Sequence, residues 1–130
     1  MNLRRAPSQV MWQTYLDDGI EAYEAARYAE AEKLFKLAVA EGEQFGASDS
    51  RLADSLNNLA LMYHTQGDYA KAKPLYKRSL AIWERALGPE HPNLADSLED
   101  YGVLLKATGR AAEAQTLLDR AAAIRKGKGK

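Results

Sequence analysis

The stretch that decides the fold is residues 52–82, LADSLNNLALMYHTQGDYAKAKPLYKRSLAI. It returns 42 residues later as residues 94–124, LADSLEDYGVLLKATGRAAEAQTLLDRAAAI. Aligning 51–82 with 93–124 gives 12 identities in 32 positions without a gap. Leu52, Ala53, Leu56, Gly67, Ala70, Ala72, Leu75, Ala81 and Ile82 are among them, mostly packing and turn positions. A fainter copy lies 41 residues upstream, where Tyr28-Ala29 match Tyr69-Ala70, Ala31 matches Ala72, and Leu34-Phe35 match Leu75-Tyr76. A period of this length is the mark of a helical repeat array, whose units bury their apolar faces only by stacking.

Working outward, the pattern predicts six helices. Apolar residues recur at helical spacing, and turn residues punctuate them. The first helix is expected over about 8–25, with Pro7 and Ser8 suited to starting it. The second is expected over 28–44, with Ala31, Leu34, Phe35, Ala38 and Val39 inward. Gly46-Ala47-Ser48-Asp49 is a turn in which Ser48 or Asp49 caps a third helix over 50–66. Gly67 ends that helix, and Asp68 caps a fourth over 69–87, despite Pro74 inside it. Gly88-Pro89-Glu90-His91-Pro92-Asn93 stops one helix and restarts another, over 92–108, with Pro92 suited to its first turn. The sixth covers 111–126. The short loops make consecutive helices antiparallel neighbours. The expected organisation is a flexible 1–8, a repeat domain over 9–125 (units 12–45, 50–87 and 92–125) and a flexible basic tail, 126–130.

At 130 residues the chain has room for one domain, and 46% hydrophobic content is enough for a core. No run approaches the ~18 apolar residues that would span a membrane. The start, MNLRRAPSQ, lacks the apolar segment of a signal peptide, although an earlier removal is compatible with it. Cytoplasm is the default compartment. With no cysteine, disulfides, thiolate nucleophiles and zinc–thiolate sites are impossible. Net charge is zero, but Arg4, Arg5, Arg125, Lys126, Lys128 and Lys130 sit at the termini, leaving 12 basic against 18 acidic residues in the body. An acidic body repels phosphate backbones, so nucleic acid is not the expected ligand.

Here the sequence resembles the tetratricopeptide repeat family. The residues that carry the likeness are a small one in the first helix of each unit, Ala twelve later, a large residue four further on and a small one three after that. The units supply Gly19, Ala31, Phe35 and Ala38; then Ala60, Ala72, Tyr76 and Ser79; then Gly102, Ala114, Leu118 and Ala121. The period of 41–42 exceeds the family's usual ~34. With SLNNLALMY, GDYAKA, LYKRSLAI and LGPEHP, it is similar to the kinesin light chain branch. The resemblance covers about 12–125. It implies an all-α, right-handed superhelical solenoid of three helix–turn–helix units.

It also implies where a ligand binds: the first helix of each unit lines a concave groove. Carried over residue by residue, the groove positions are Leu16, Asp17 and Ile20, then Asn57, Asn58 and Leu61, then Glu99, Asp100 and Val103. Asn58 matches an asparagine that such proteins use to grip a peptide backbone, donating to C=O and accepting from N–H. The basic residues of carboxylate-clamp members are missing, because Leu16, Ile20, Asp96 and Asp100 stand in their places. The expected ligand is a peptide or helix of a partner protein with apolar anchors and Lys or Arg, set against Asp17, Asp54, Asp96, Glu99 and Asp100. The bland alternative is that these acids form a solvated face.

Nothing points to catalysis. His64 and His91 are the only histidines, without a second at metal-ligand spacing. There is no phosphate-binding glycine loop and no nucleophile motif. His91, between two prolines, reads as a turn or capping residue. The aromatics Tyr28, Tyr63, Tyr69, Tyr76 and Trp83 read as core, Trp12 less clearly so. No cofactor, metal or enzyme activity is expected. A rival reading is self-association. Leu117, Leu118 and Ile124 cannot all be expected to face the fifth helix, so the last face is exposed, covered by a second copy, or part of a longer array.

Overall fold

A computed structural model describes residues 6–127 as six helices. They are α1 (Gln9–Glu24), α2 (Tyr28–Gln44), α3 (Ser50–Thr65), α4 (Tyr69–Leu87), α5 (Pro92–Ala107) and α6 (Ala111–Gly127). The expected boundaries hold to within a residue or two. α6 runs through Lys126 and Gly127, two residues that the sequence pattern assigns to a flexible tail. The rest of the expected flexible ends, 1–5 and 128–130, lies outside the described residues.

Local chemistry starts each helix where the sequence places it. Ser8 Oγ accepts from Met11 N (3.0 Å), Asp49 from Arg51 N (2.9 Å) and Asp68 from Lys71 N (3.4 Å). Asp49, rather than Ser48, is the cap of α3. His91 caps α5 through Nδ1, which accepts from Asn93 N (3.1 Å), with Pro92 in the first turn. Each satisfies an amide that the helix itself leaves without a partner. α4 continues through Pro74, as its unbroken apolar phase requires.

The turn inside each pair is the same in all three units. Arg27, Asp68 and Arg110 donate their backbone N–H to Ala22, Tyr63 and Leu105, each at 2.8 Å. This six-to-one bond closes a helix C-terminus when the residue before it is left-handed. Gly67 (φ +80°) and Gly109 (φ +82°) fill that position in two units. In the first unit it is Ala26, at φ +62°. An L-residue with a Cβ is strained there by about 1–2 kcal/mol.

The helices pair as α1 with α2, α3 with α4 and α5 with α6, and the pairs join through α2 on α3 and α4 on α5. The signature residues do the packing. Gly19 lies under Phe35, and Gly102 lies under Leu118. Ala60 and Tyr76 hold the corresponding places in the middle unit, both fully buried. Trp12 is also core, 6% exposed, and its Nε1 donates to Ser55 Oγ at 2.7 Å, tying α1 to α3.

On α6 the three residues of the expected oligomer face differ in burial. Ile124 is 7% exposed, Leu117 packs against the core, and Leu118 covers Gly102. Of the three only Ile124 is buried; Leu117 and Leu118 are half-buried. In α4, Leu80 and Trp83 are buried, whereas 42 residues on the matching positions of α6 are the exposed Ala122 and Arg125. That face therefore carries small and charged side chains where α4 carries large apolar ones. No helix among the described residues is long and apolar enough to cross a membrane.

Candidate functional site

The row of first helices is the tighter side of the stack. The backbones of α1 and α3, and of α3 and α5, approach closely, whereas α2 and α4, and α4 and α6, meet through long side chains, Arg78 with Glu43 (3.2 Å) and Arg120 with Glu84 (3.3 Å). Close spacing on one side and wide spacing on the other curves a solenoid, so α1, α3 and α5 line its concave face.

Two of these helices enclose a cavity of about 520 Å³ on that face. α3 contributes Asp54, Asn57 and Asn58, α5 contributes Asp96, Ser97, Glu99 and Asp100, Asn93 opens the helix, and Trp83 of α4 completes the wall. A smaller, mostly apolar notch, about 200 Å³, adjoins it between α1 and α3 and is lined by Ile20, Tyr23, Glu24, Phe35, Leu61 and Asn58. Asn58 borders both.

The polar side chains are organised across the helices. Asn57 Nδ2 donates to Asp100 Oδ2 (3.1 Å), and Ser97 Oγ donates to Asn57 Oδ1 (3.2 Å), so Asn57 bridges α3 to α5 with both ends of its amide. Asn58 Nδ2 donates to the Asp54 backbone oxygen (2.9 Å) and to Asp54 Oδ1 (3.1 Å). The donor end expected to grip a peptide backbone is thus turned onto its own helix.

Burial pushes both floor carboxyls up. For Asp54 the Asn58 hydrogen bond opposes the rise. For Asp100 the Asn57 hydrogen bond opposes it, the charges of Asp96 and Glu99 add to it, and His64 works weakly against it. No Lys or Arg among the described residues pairs with either carboxylate. At the rim, Arg125 of α6 spans the two outer acids, with Nη2 2.6 Å from Asp96 Oδ1 and Nη1 2.8 Å from Glu99 Oε2.

Beside this cavity, Tyr76 is fully buried and its hydroxyl has no hydrogen-bond partner; burial, then the Asp100 charge, raises its pKa. His64 Nδ1 is likewise buried without a partner, and burial lowers its pKa. Among the described residues no three His, Cys, Asp or Glu side chains are grouped to hold a metal ion.

Of the nine expected groove residues, Asn57, Asn58, Glu99 and Asp100 converge on the cavity, and Ile20 and Leu61 line the notch. Val103, 48% exposed, lies on α5 one turn beyond Asp100. Asp17 is exposed on α1 and accepts from Gln13 Nε2 (2.9 Å). Leu16 is a correction. It is 4% exposed and belongs to the core, because it lies four residues after Trp12 and three before Gly19 on the inward stripe of α1.

Sequence reading missed Asn93, Ser97 and Trp83 as wall residues. The first two were findable: Asn93, Asp96, Ser97 and Asp100 sit at i, i+3, i+4 and i+7, a polar stripe parallel to Asp54, Asn57, Asn58 and Leu61. Trp83 was not, since a mostly buried indole can still present an edge to a cavity.

Solved structures share the architecture. BtubC (BKLC) from P. vanneervenii superposes with a TM-score of 0.87 at 24% identity, over 95% of this chain and 50% of that one. A putative kinesin light chain with nearly identical TPR-like repeats from Podosopora anserina gives 0.79 at 24% identity, over 97% and 60%. The TPR domain of Arabidopsis FLU gives 0.81 at 16% identity, over 92% and 98%. This chain therefore spans half to 60% of the length of the first two. At these identities the likeness is one of fold. A search of curated proteins finds no match. The tetratricopeptide repeat profile matches residues 19–84 and 51–127, together most of the sequence. With the three small-residue packing sites and the three matching turns, that coverage means the chain belongs to the tetratricopeptide repeat family.

Proposed function

We propose that the chain is a non-catalytic interaction module that holds a peptide segment of a partner protein on its concave face. Tetratricopeptide repeat proteins are generally interaction modules of this kind. The observation that carries the reading is the juxtaposition of an acidic, amide-rich cavity with an apolar notch, joined at Asn58. A bound segment places an apolar side chain against Ile20 and Leu61 and basic residues against the α5 acids. Asp17, Glu99 and Val103 form its flanks. Asn57 acts chiefly as the strut that fixes the two helices, while Asn58, which borders both cavity and notch, meets the ligand.

Self-association is the rival reading; of the three residues that suggested it, Ile124 is buried within the chain and Leu117 and Leu118 are half-buried. The test pairs Asn58→Ala with Asp100→Lys. Captured partners and their affinities are compared with the parent and with the convex-face substitution Lys77→Ala. Loss of partners in the groove variants alone supports the reading. An unchanged set of partners removes the groove from consideration.

A further inference from the structure

We infer that the cavity between α3, α4 and α5 is a receptor for one guanidinium side chain, an arginine of the partner protein. This deepens the groove reading above and rests on it. The first support is shape and composition. Carboxylates arrive from both α3 (Asp54) and α5 (Asp96, Glu99, Asp100), and the volume of about 520 Å³ is ample for one side chain. No Lys or Arg is among its lining residues.

A second support is the mixture of partners. The acids are too dispersed to close around a metal ion. A planar, delocalised cation with five N–H donors suits dispersed oxygen acceptors better, and carboxylates are its preferred partners. Trp83 supplies an apolar wall on the α4 side, against which the methylene stem of an arginine can lie.

A third is that a guanidinium already uses half of the site. Arg125 reaches back from α6 to Asp96 and Glu99. It covers the outer acids and leaves the inner pair, Asp54 and Asp100, with amide partners only. Arg125 occupies the position that in α4 is Trp83, so the last unit exchanges a packing residue for a cation on the groove acids. An incoming arginine then meets the inner acids directly, and Arg125 competes for the outer ones. The cost of holding Asp54 and Asp100 partly buried fits a role in binding, since burial raises both pKa values and opposes their charged forms.

The experiment is a salt-matched NMR titration of the intact chain with N-acetyl-arginine amide. N-acetyl-citrulline amide serves as the neutral isostere, and a short arginine peptide flanked by leucines as the partner mimic. Expected are shifts of one indole signal, assigned through Trp83→Phe, and of the Asn57, Asn58 and Asn93 amide signals. Citrulline should produce none of them. Asp54→Asn and Asp100→Asn should each weaken binding about tenfold or more, the effect of losing one charge-assisted bond. Arg125→Gln, an exposed change that spares the core, should strengthen it. The leucine-flanked peptide should bind more tightly than the single amide; equal affinity would point to a free small cation and overturn the partner assignment. Shifts shared equally by citrulline, or unaffected by Asp54→Asn and Asp100→Asn, overturn the receptor. If arginine fails to bind while Asn58→Ala still abolishes partner capture, the receptor falls and the groove reading stands.

Discussion

Gly19→Ala is the sharpest probe of how the units are built. On an exposed helix this change stabilises by about 1 kcal/mol, because alanine restricts the unfolded chain and favours helix. Here the added Cβ would sit 2.6 Å from Phe35 Cε1 and 2.7 Å from Cδ1. Carbon atoms rest about 3.5–4.0 Å apart, so the ring must retreat by roughly 1 Å. Phe35 is 1% exposed, with only the apolar notch open beside it. Overpacking of this kind costs about 1–3 kcal/mol. The balance is destabilising by up to about 2 kcal/mol net, or a fall in midpoint temperature of up to about 8 °C for a chain of this size. Urea unfolding followed by helical circular dichroism measures it. The third unit suggests the rescue, because Gly102 there faces Leu118, a half-buried neighbour at 2.9 Å whose branched aliphatic side chain can change rotamer. In a Phe35→Leu background, Gly19→Ala should become neutral within about 0.5 kcal/mol, giving a coupling of about 1–2 kcal/mol in the double-mutant cycle. A Gly19→Ala protein as stable as the parent, or a coupling near zero, would refute the wedge of Phe35 into α1.

Two further predictions concern the turns and the groove. Ala26→Gly should stabilise by about 0.5–1 kcal/mol, because relief of left-handed strain exceeds the added freedom of the unfolded chain; Gly67→Ala, with nothing within 4 Å of its Cβ site, should lose about 1 kcal/mol through the backbone alone. Opposite signs in thermal melts are the expected result. Asp54 has a raised native pKa, so its stability contribution is full below the unfolded value of about 3.9 and is lost as pH rises through the native one. Asp54→Asn should therefore stabilise most at neutral pH and show no pH-dependent advantage below about pH 4; a gain that grows on acidification would contradict burial as the cause.

These two ideas meet in the groove. If Asp54 and Asp100 oppose folding at neutral pH and also capture a cation, substitution to asparagine raises stability and lowers binding together. That opposition is expected where charges are kept for function rather than for the fold.

Much of this was legible in the chain itself. The period, the small residues under large ones and the cap residues are local or strictly periodic features, and each has one geometric meaning. Ser8, Asp68, Gly67 and Pro92 act where their backbone chemistry says they must. The groove helices were legible for the same reason, since the repeat carries Asn58 onto Asp100 at an offset of 42. Three things belonged to the tertiary structure. Leu16 and Ile124 are buried because neighbouring helices cover them, which a single helix's pattern cannot say at the ends of an array. Asn57 and Asn58 have the same amide and adjacent positions, yet one braces α5 and the other bonds back to Asp54, because only one points across the interhelical gap. Arg125 and the α5 acids lie far apart in sequence and meet only when α6 folds back along α5. The sequence determined the fold because repetition averages over local ambiguity; the site was decided by side chains converging from different units, and that depends on distances no periodicity contains.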